Sequence, residues 1–341
     1  MNADCIRPVK PKWLIIAGNI YGNVLAKCRL LCGQVESQVG ATHWGWPVER
    51  SVAYIHQVFG DYLAYGNLTP EWLRGKRILE IGPGDNLGVA LRCLAAGASH
   101  VVCLDKYFAK RNVEQQTHIY QALRSGLSPE ERSRYDEAVY LDGSIRFNPQ
   151  MLTYISGVPV EKAHRVVDAD SIDLVLSRAV IWEIHNIDFA FAAMHQILRK
   201  GGRMVHKVAC LDWMFTQNGY HPLEFLTVSD RIYNLMASDS GKCNRRTRAY
   251  YRNAMAALGY DATCHITRTI GHRGPEFPPN TTAVIAGTHY TDKTVDTIRQ
   301  IRPRLLPRYR QLPDEELMVE DMFLVATKPL VNGGEERNGH G

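Results

Sequence analysis

Arg77-Ile78-Leu79-Glu80-Ile81-Gly82-Pro83-Gly84-Asp85-Asn86 carries a short apolar strand straight into a glycine turn. Gly82 and Gly84 let the backbone turn tightly and approach a ligand with no Cβ in the way. Leu87 to Ala98 follows, with Val89, Ala90, Leu91, Leu94 and Ala95 at helical spacing. His100 to Leu104 then reads as a second apolar strand that ends in Asp105. Asp105 lies 105 − 84 = 21 residues past the second glycine. A doubly wound sheet places there the carboxylate that accepts from a ribose hydroxyl pair. Strand, turn, helix, strand and acid together point to a nucleoside ligand.

Two groups of enzymes use such a turn, and the details separate them. A dinucleotide site wants G-x-G-x-x-G, so that a pyrophosphate can rest on the helix N-terminus. Here Gly82, Gly84 and Gly88 give G-x-G-x-x-x-G, with Leu87 in the way. Glu80 and Asp85 flank the glycines; they would repel a pyrophosphate but suit a ligand carrying an ammonium and a sulfonium. On these residues the chain resembles the class I S-adenosylmethionine-dependent methyltransferases, whose first motif reads E/D-x-G-x-G and whose second is an acid ending strand two. The resemblance implies S-adenosylmethionine as cofactor and an α/β, Rossmann-like, doubly wound seven-stranded sheet with strand seven antiparallel. It assigns Glu80, Gly82, Pro83, Gly84, Asn86, Asp105 and Lys106 to the cofactor.

The resemblance continues down the chain. Tyr140-Leu141-Asp142-Gly143-Ser144 resembles the third motif, so Asp142 and Gly143 are expected at the adenine from the end of strand three. Asp173 to Ser177 resembles strand four, with Ser177 at its end. Ile197 to Gly202 resembles the helix end and turn before strand five, Arg203 to Val208. Thr263 to Thr269 and Met322 to Pro329 would be strands six and seven. Domain organisation follows: a helical N-terminal extension over 1–70, a methyltransferase domain over 71–330, and a polar Gly-rich tail, 331–341, expected to be disordered.

Composition agrees with a single α/β unit. The 341 residues are 45% hydrophobic, enough to bury a full core. The net charge of +5 is too mild for a global polycation, so no nucleic-acid partner is expected. Eight cysteines form no C-x-x-C pair and no paired spacing with histidines, which argues against a metal finger and a disulfide framework.

Trp13 to Ala26 is apolar after Lys10 and Lys12 but is broken by Asn19 and Asn23. It is too short to span a bilayer and poor as a secretory signal, so a cytoplasmic protein is expected. The stretch reads as a helix that packs on the domain or on a partner in a homodimer, with contact to a membrane surface as the other reading. The segment Thr42 to Phe59 leads into a further helix that helps to enclose the site.

Three lid insertions depart from a minimal methyltransferase, at 106–138, 211–261 and 271–320. The first contains a helix start at Ser128-Pro129-Glu130-Glu131. The second is the expected substrate lid. The third interleaves Arg299, Arg302, Arg304, Arg308 and Arg310 with three prolines. With Ser177 to Val180, His206, His221 to Asp230, Asn244 to Arg248 and Leu324 to Pro329, the chain is similar to bacterial methyltransferases found among sugar and polysaccharide biosynthesis genes. That similarity implies a small-molecule or glycan acceptor with a hydroxyl nucleophile. Where many methyltransferases carry Leu-Glu-His after strand four, this chain has Ile181-Trp182-Glu183, with His185 two further on.

In-line methyl transfer to a hydroxyl needs an aimed nucleophile and a proton acceptor. His206 at the end of strand five is the first candidate base, with Asp212 to orient it and His185 or Glu183 as rivals. Arg178, His221, Arg245 and Arg246 are candidates for holding the acceptor. A core or second-layer role competes for His206, and a solvated helix face for the arginines. Methylation of an amine, carboxylate or thioether of a small metabolite remains open. A nucleic-acid enzyme would show N/D/S-P-P-Y/F after strand four, where this chain has Ser177-Arg178-Ala179-Val180. A catalytically dead scaffold would have lost Gly82, Gly84 or Asp105.

Overall fold

The structure, a computed structural model, describes residues 10–32, 36–37 and 42–330, with only the backbone at 36–37. The tail 331–341 therefore lies outside the described residues. Seven strands form one sheet: β1 Arg77–Ile81, β2 His100–Asp105, β3 Leu152–Ser156, β4 Ile172–Arg178, β5 Leu198–Ala209, β6 Asp261–Thr269 and β7 Val319–Thr327. Their order across the sheet is β6-β7-β5-β4-β1-β2-β3. β1 pairs in parallel with β2 and β4, β2 with β3, and β4 with β5. β7 runs antiparallel to both of its neighbours, β5 and β6. This is the expected doubly wound sheet with an antiparallel seventh strand.

The strands are apolar on both sides, as strands covered by helices must be. Leu79, Ile81, Val102, Leu104, Val175, Met204 and Val208 face one core. Ile78, Val101, Cys103, Leu174, Leu176 and Val205 face the other. The first core is closed by helix Ile187–Ile197 and by the second and third insertions. The second is closed by helices Val48–Gly66, Gly88–Ala95, Val113–Ser125 and Pro129–Ala138. Tyr65 stacks on Phe323 of β7, with ring centroids 4.2 Å apart, and so fixes the Val48–Gly66 helix across the sheet. Helix Pro129–Ala138 starts in a capping box between Ser128 and Glu131.

Strand three is not where the sequence placed it. Val139–Leu141 pairs antiparallel with Ile145–Phe147 in a separate hairpin, and Asp142-Gly143 is its turn. Asp-Gly between two alternating segments is a hairpin signal, and here it outweighs the likeness to a third motif. The central sheet takes Leu152–Ser156 instead. Strands five and six also start earlier than expected, at Leu198 and Asp261.

The apolar N-terminal stretch forms a helix, Lys12–Leu31, that packs on helix Asp230–Ala237 of the second insertion. The two asparagines that interrupt its apolar run are put to use. Asn23 donates to Ser238 Oγ at 3.0 Å and accepts from the Asp239 amide at 2.7 Å, and Asn19 donates to the Ile15 carbonyl at 2.7 Å. Lys12 pairs with Glu224 at 2.6 Å. The arginines of the third insertion are staples. Arg302 binds the Arg310 and Leu312 carbonyls and Asp314, Arg304 reaches Glu224, and Arg308 reaches Asp230. Among the described residues, no helix is long and apolar enough to cross a membrane.

Candidate active site

A cavity of about 940 Å³ opens at the carboxyl ends of β1, β2 and β4. Open α/β sheets hold their ligands at this edge. Its floor is the glycine turn. Gly82 and Gly84 have φ of 68° and 69°, the left-handed region that glycine adopts without strain. A Cβ on Gly82 would stand 2.4 Å from Val180 Cγ2, so the backbone edge there is bare by necessity. Asn86 turns its Oδ1 back onto the Gly88 amide at 2.7 Å and leaves a buried Nδ2 without a partner among the described residues. Asp85 does not face the cavity. Its carboxylate accepts from the His43 amide and so ties the N-terminal cover to the turn.

Two carboxylates stand over this floor. Asp105 ends β2 and accepts from the Tyr107 amide at 3.0 Å; burial raises its pKa. Glu80 is buried on β1, and desolvation pushes its pKa up to about 7. Among the described residues it accepts one hydrogen bond, from Cys103 Sγ at 3.7 Å. An acid so placed gains from any cation brought beside it. Lys106 lies on the same wall.

Across the cavity stand the residues that follow β4. Arg178 is held to Asp61 at 2.7 Å, with its guanidinium 5.6 Å from the Tyr54 ring centroid. Ala179 takes a φ of 55°, an unusual conformation for a residue with a Cβ, and it aims the chain into a short turn over Ile181–Glu183. Asn244 clamps that turn: its amide donates to the Trp182 carbonyl at 2.7 Å and its side chain to the Ile181 carbonyl at 2.9 Å. Glu183 and His185 both reach the cavity. Burial pushes Glu183 up to about 7, opposed by Lys242, and lowers the pKa of His185.

A second cavity, of about 590 Å³, shares Gly18, Asn19, Glu183, Ser240, Gly241 and Lys242 with the first. Asp212 lines it; burial pushes its pKa up to about 6 while it caps the turn at Met214 and accepts from Tyr233. Trp182 lines it too, and its indole N–H is buried without a partner among the described residues. Glu183 is thus the acid at the junction of the two spaces.

The site brings together Glu80, Gly82, Pro83, Gly84, Asn86, Asp105, Lys106, Arg178, Glu183 and His185. It does not bring in the others. Asp142 and Gly143 sit on the outer hairpin, where Asp142 pairs with Arg146 at the surface. His206 is fully buried within the sheet; burial pushes its pKa down to about 3, and Nδ1 meets Ser177 Oγ at 2.8 Å. Neither His206 nor Ser177 lines the cavity, and no other residue of β5 does. His221 is pinned inside the lid, with Nε2 on the Thr297 carbonyl. Arg245 is buried against the Val228 carbonyl and Asp230, and Arg246 lies over the Tyr250 ring. These residues brace the second insertion.

Sequence reasoning expected the N-terminal cover to help enclose the site but did not single out the residues that form the wall. Asn19, His43, Tyr54 and Tyr62 line the larger cavity, as does Tyr107 after β2. Nothing in their spacing marks them, since they arrive by tertiary packing alone.

Residues 54–265 match a family described as a methyltransferase domain, well over half of the chain. The chain belongs to this methyltransferase family. Its cofactor is S-adenosylmethionine, and the glycine turn with Glu80 and Asp105 is chemically suited to it. No curated protein sequence matches the chain. Among solved structures it is similar to a Haemonchus contortus phosphoethanolamine N-methyltransferase, at 13% identity and a TM-score of 0.41, over 80% of this chain and 52% of that one. It is also similar to methyltransferases from Mesorhizobium loti, at 17% identity and 0.37 over 76% and 98% of the two chains, and from Archaeoglobus fulgidus, at 10% and 0.40 over 83% and 95%. The methyltransferase thus spans about half the length of the Haemonchus enzyme.

Proposed function

We propose that this methyltransferase transfers a methyl group to a hydroxyl oxygen of a small-molecule or glycan acceptor, with Glu183 taking the hydroxyl proton. The observation that carries this reading is the place of Glu183. It is the half-buried acid where the two cavities meet, and its pKa is pushed up to about 7. A base poised near the working pH is what general-base removal of a hydroxyl proton calls for. Bound over the glycine turn, S-adenosylmethionine supplies an electrophilic methyl group on a sulfonium. Asp105 accepts from the ribose hydroxyls, Glu80 balances the cationic end of the cofactor, and Gly82 and Gly84 give it a bare backbone edge. Asn244 positions the Trp182-Glu183 turn, and Arg178, held by Asp61, orients the acceptor. His185 is the second candidate base. A cytoplasmic setting, with its supply of cofactor, goes with this reading.

The test is methyl transfer to a panel of sugars and other hydroxyl acceptors by wild type and Glu183→Gln. The variant should lose about 10²–10³-fold in kcat and keep its affinity for the cofactor. Transfer within about tenfold of wild type would remove Glu183 from this role. An amine acceptor is the alternative, favoured by the two carboxylates, Glu183 and Asp212, on the smaller cavity. Transfer to amines alone would select it.

A further inference from the structure

The Lys12–Leu31 helix has two faces with different tasks. Gly18, Asn19, Gly22 and Ala26 line the larger cavity. The opposite face carries Trp13, Ala17, Tyr21, Val24, Cys28 and Leu31 at helical spacing, all exposed. Trp13 is 67% exposed, Tyr21 71%, Val24 55% and Leu31 79%. The helix against which it packs, Asp230–Ala237, adds exposed Ile232 and Leu235. Single exposed apolar residues need no explanation, but a stripe that runs the length of a helix does.

Charge says what covers it. From Cys5 to Val35 the sequence holds five basic residues and no acidic one. Lys12 is taken up by Glu224 and Thr227. Lys27 borders the stripe at helical spacing and is exposed, while Arg29, exposed too, also lines the larger cavity. An apolar stripe bordered by long cationic side chains, with Trp and Tyr among its members, is the pattern of a helix that lies in a membrane interface. Two copies facing each other through this stripe would bring together two acid-free basic segments with nothing on the helix to neutralise them.

We propose that the Lys12–Leu31 helix docks the protein onto an anionic lipid surface. Leu14 and Trp213, both exposed, also line the smaller cavity, so that its mouth opens beside the stripe and would face the same surface. A lipid-borne acceptor could then reach Glu183 without leaving the interface. That consequence rests on the role proposed for Glu183; the docking does not.

Vesicle flotation of the full chain tests the docking, with phosphatidylcholine alone against phosphatidylcholine containing about one third phosphatidylglycerol. Binding should be confined to the anionic vesicles and fall on the order of tenfold in Lys27→Glu. It should be lost in Tyr21→Glu/Val24→Glu, whose affinity for S-adenosylmethionine, measured by calorimetry, stays at the wild-type value and reports an intact fold. Failure to float with anionic vesicles overturns the proposal, as does flotation of the double variant at the wild-type level. A homodimer in gel filtration that the double variant converts to a monomer, with no vesicle binding by either, would assign the stripe to a second copy and overturn it equally. None of these results depends on methyl transfer, so the docking can fail while the role of Glu183 stands, and the reverse.

Discussion

Gly82 and Val180 meet so closely at the carboxyl edge of the sheet that a Cβ on Gly82 would stand 2.4 Å from Val180 Cγ2. The contact joins the turn after β1 to the turn after β4, and so sets the width of the cleft between the cofactor floor and Glu183. Gly82 also has a φ of 68°. Gly82→Ala therefore meets two penalties, steric overlap and a left-handed backbone, and should lose on the order of 1–3 kcal/mol of stability. Calorimetry should show cofactor affinity down by more than about tenfold. Adding Val180→Ala relieves the overlap alone, so the double variant should recover only part of the stability in thermal melts. Full recovery would mean that backbone strain contributes nothing.

Asp142 makes the opposite prediction. It sits on the outer hairpin and pairs with Arg146 there, so Asp142→Ala should leave cofactor affinity within about twofold of wild type. A large loss in calorimetry would place the hairpin at the adenine and contradict the described position.

How far the sequence could be read follows from the range of the forces involved. The turn at Gly82 was readable because strand, glycines and Asp105 belong to one local unit whose spacing is set by backbone geometry. Asp142 was misread because an Asp-Gly hairpin turn and an acid at a strand end look alike over five residues, and only the partner strand distinguishes them. β3 itself ends at Ser156 with no acid to announce it. His206 was placed on the right strand, yet no residue of β5 lines the cavity, and spacing along the chain does not tell how far a strand lies from the site. An enclosing N-terminal cover was expected, but that Asn19, His43 and Tyr62 form its wall was beyond reach, because these residues meet the turn across long stretches of chain.

His206 and Glu183 can be told apart by activity. His206→Asn keeps a group that can bond Ser177 and touches no cavity wall, so methyl transfer should stay within about tenfold of wild type. Burial holds the His206 pKa near 3, below the value near 6.5 of an unfolded chain. The unfolded state therefore takes up a proton that the folded state refuses as pH falls from about 6.5 toward 3. Wild type should lose stability across that window, and His206→Asn should lose less, in urea melts at stepped pH.

Glu183 has the reverse sign. Its pKa is about 7 in the folded protein, against 4.5 in an unfolded chain, so the folded state binds the proton more tightly. That advantage is complete below the unfolded value and is lost as pH rises through about 7. Glu183→Gln, which cannot ionise, should match wild type near pH 3.5 and exceed it by roughly 1–3 kcal/mol at pH 8. Some of this is returned by water at the open cavity and by Lys242, hence the lower bound. Urea unfolding of both proteins at the two pH values measures the difference directly. A variant at once more stable at pH 8 and inactive there would mark a group whose buried charge is kept for chemistry. Equal stability at both values would mean that the carboxylate is already well solvated, and its fitness as a base near neutral pH would go with it.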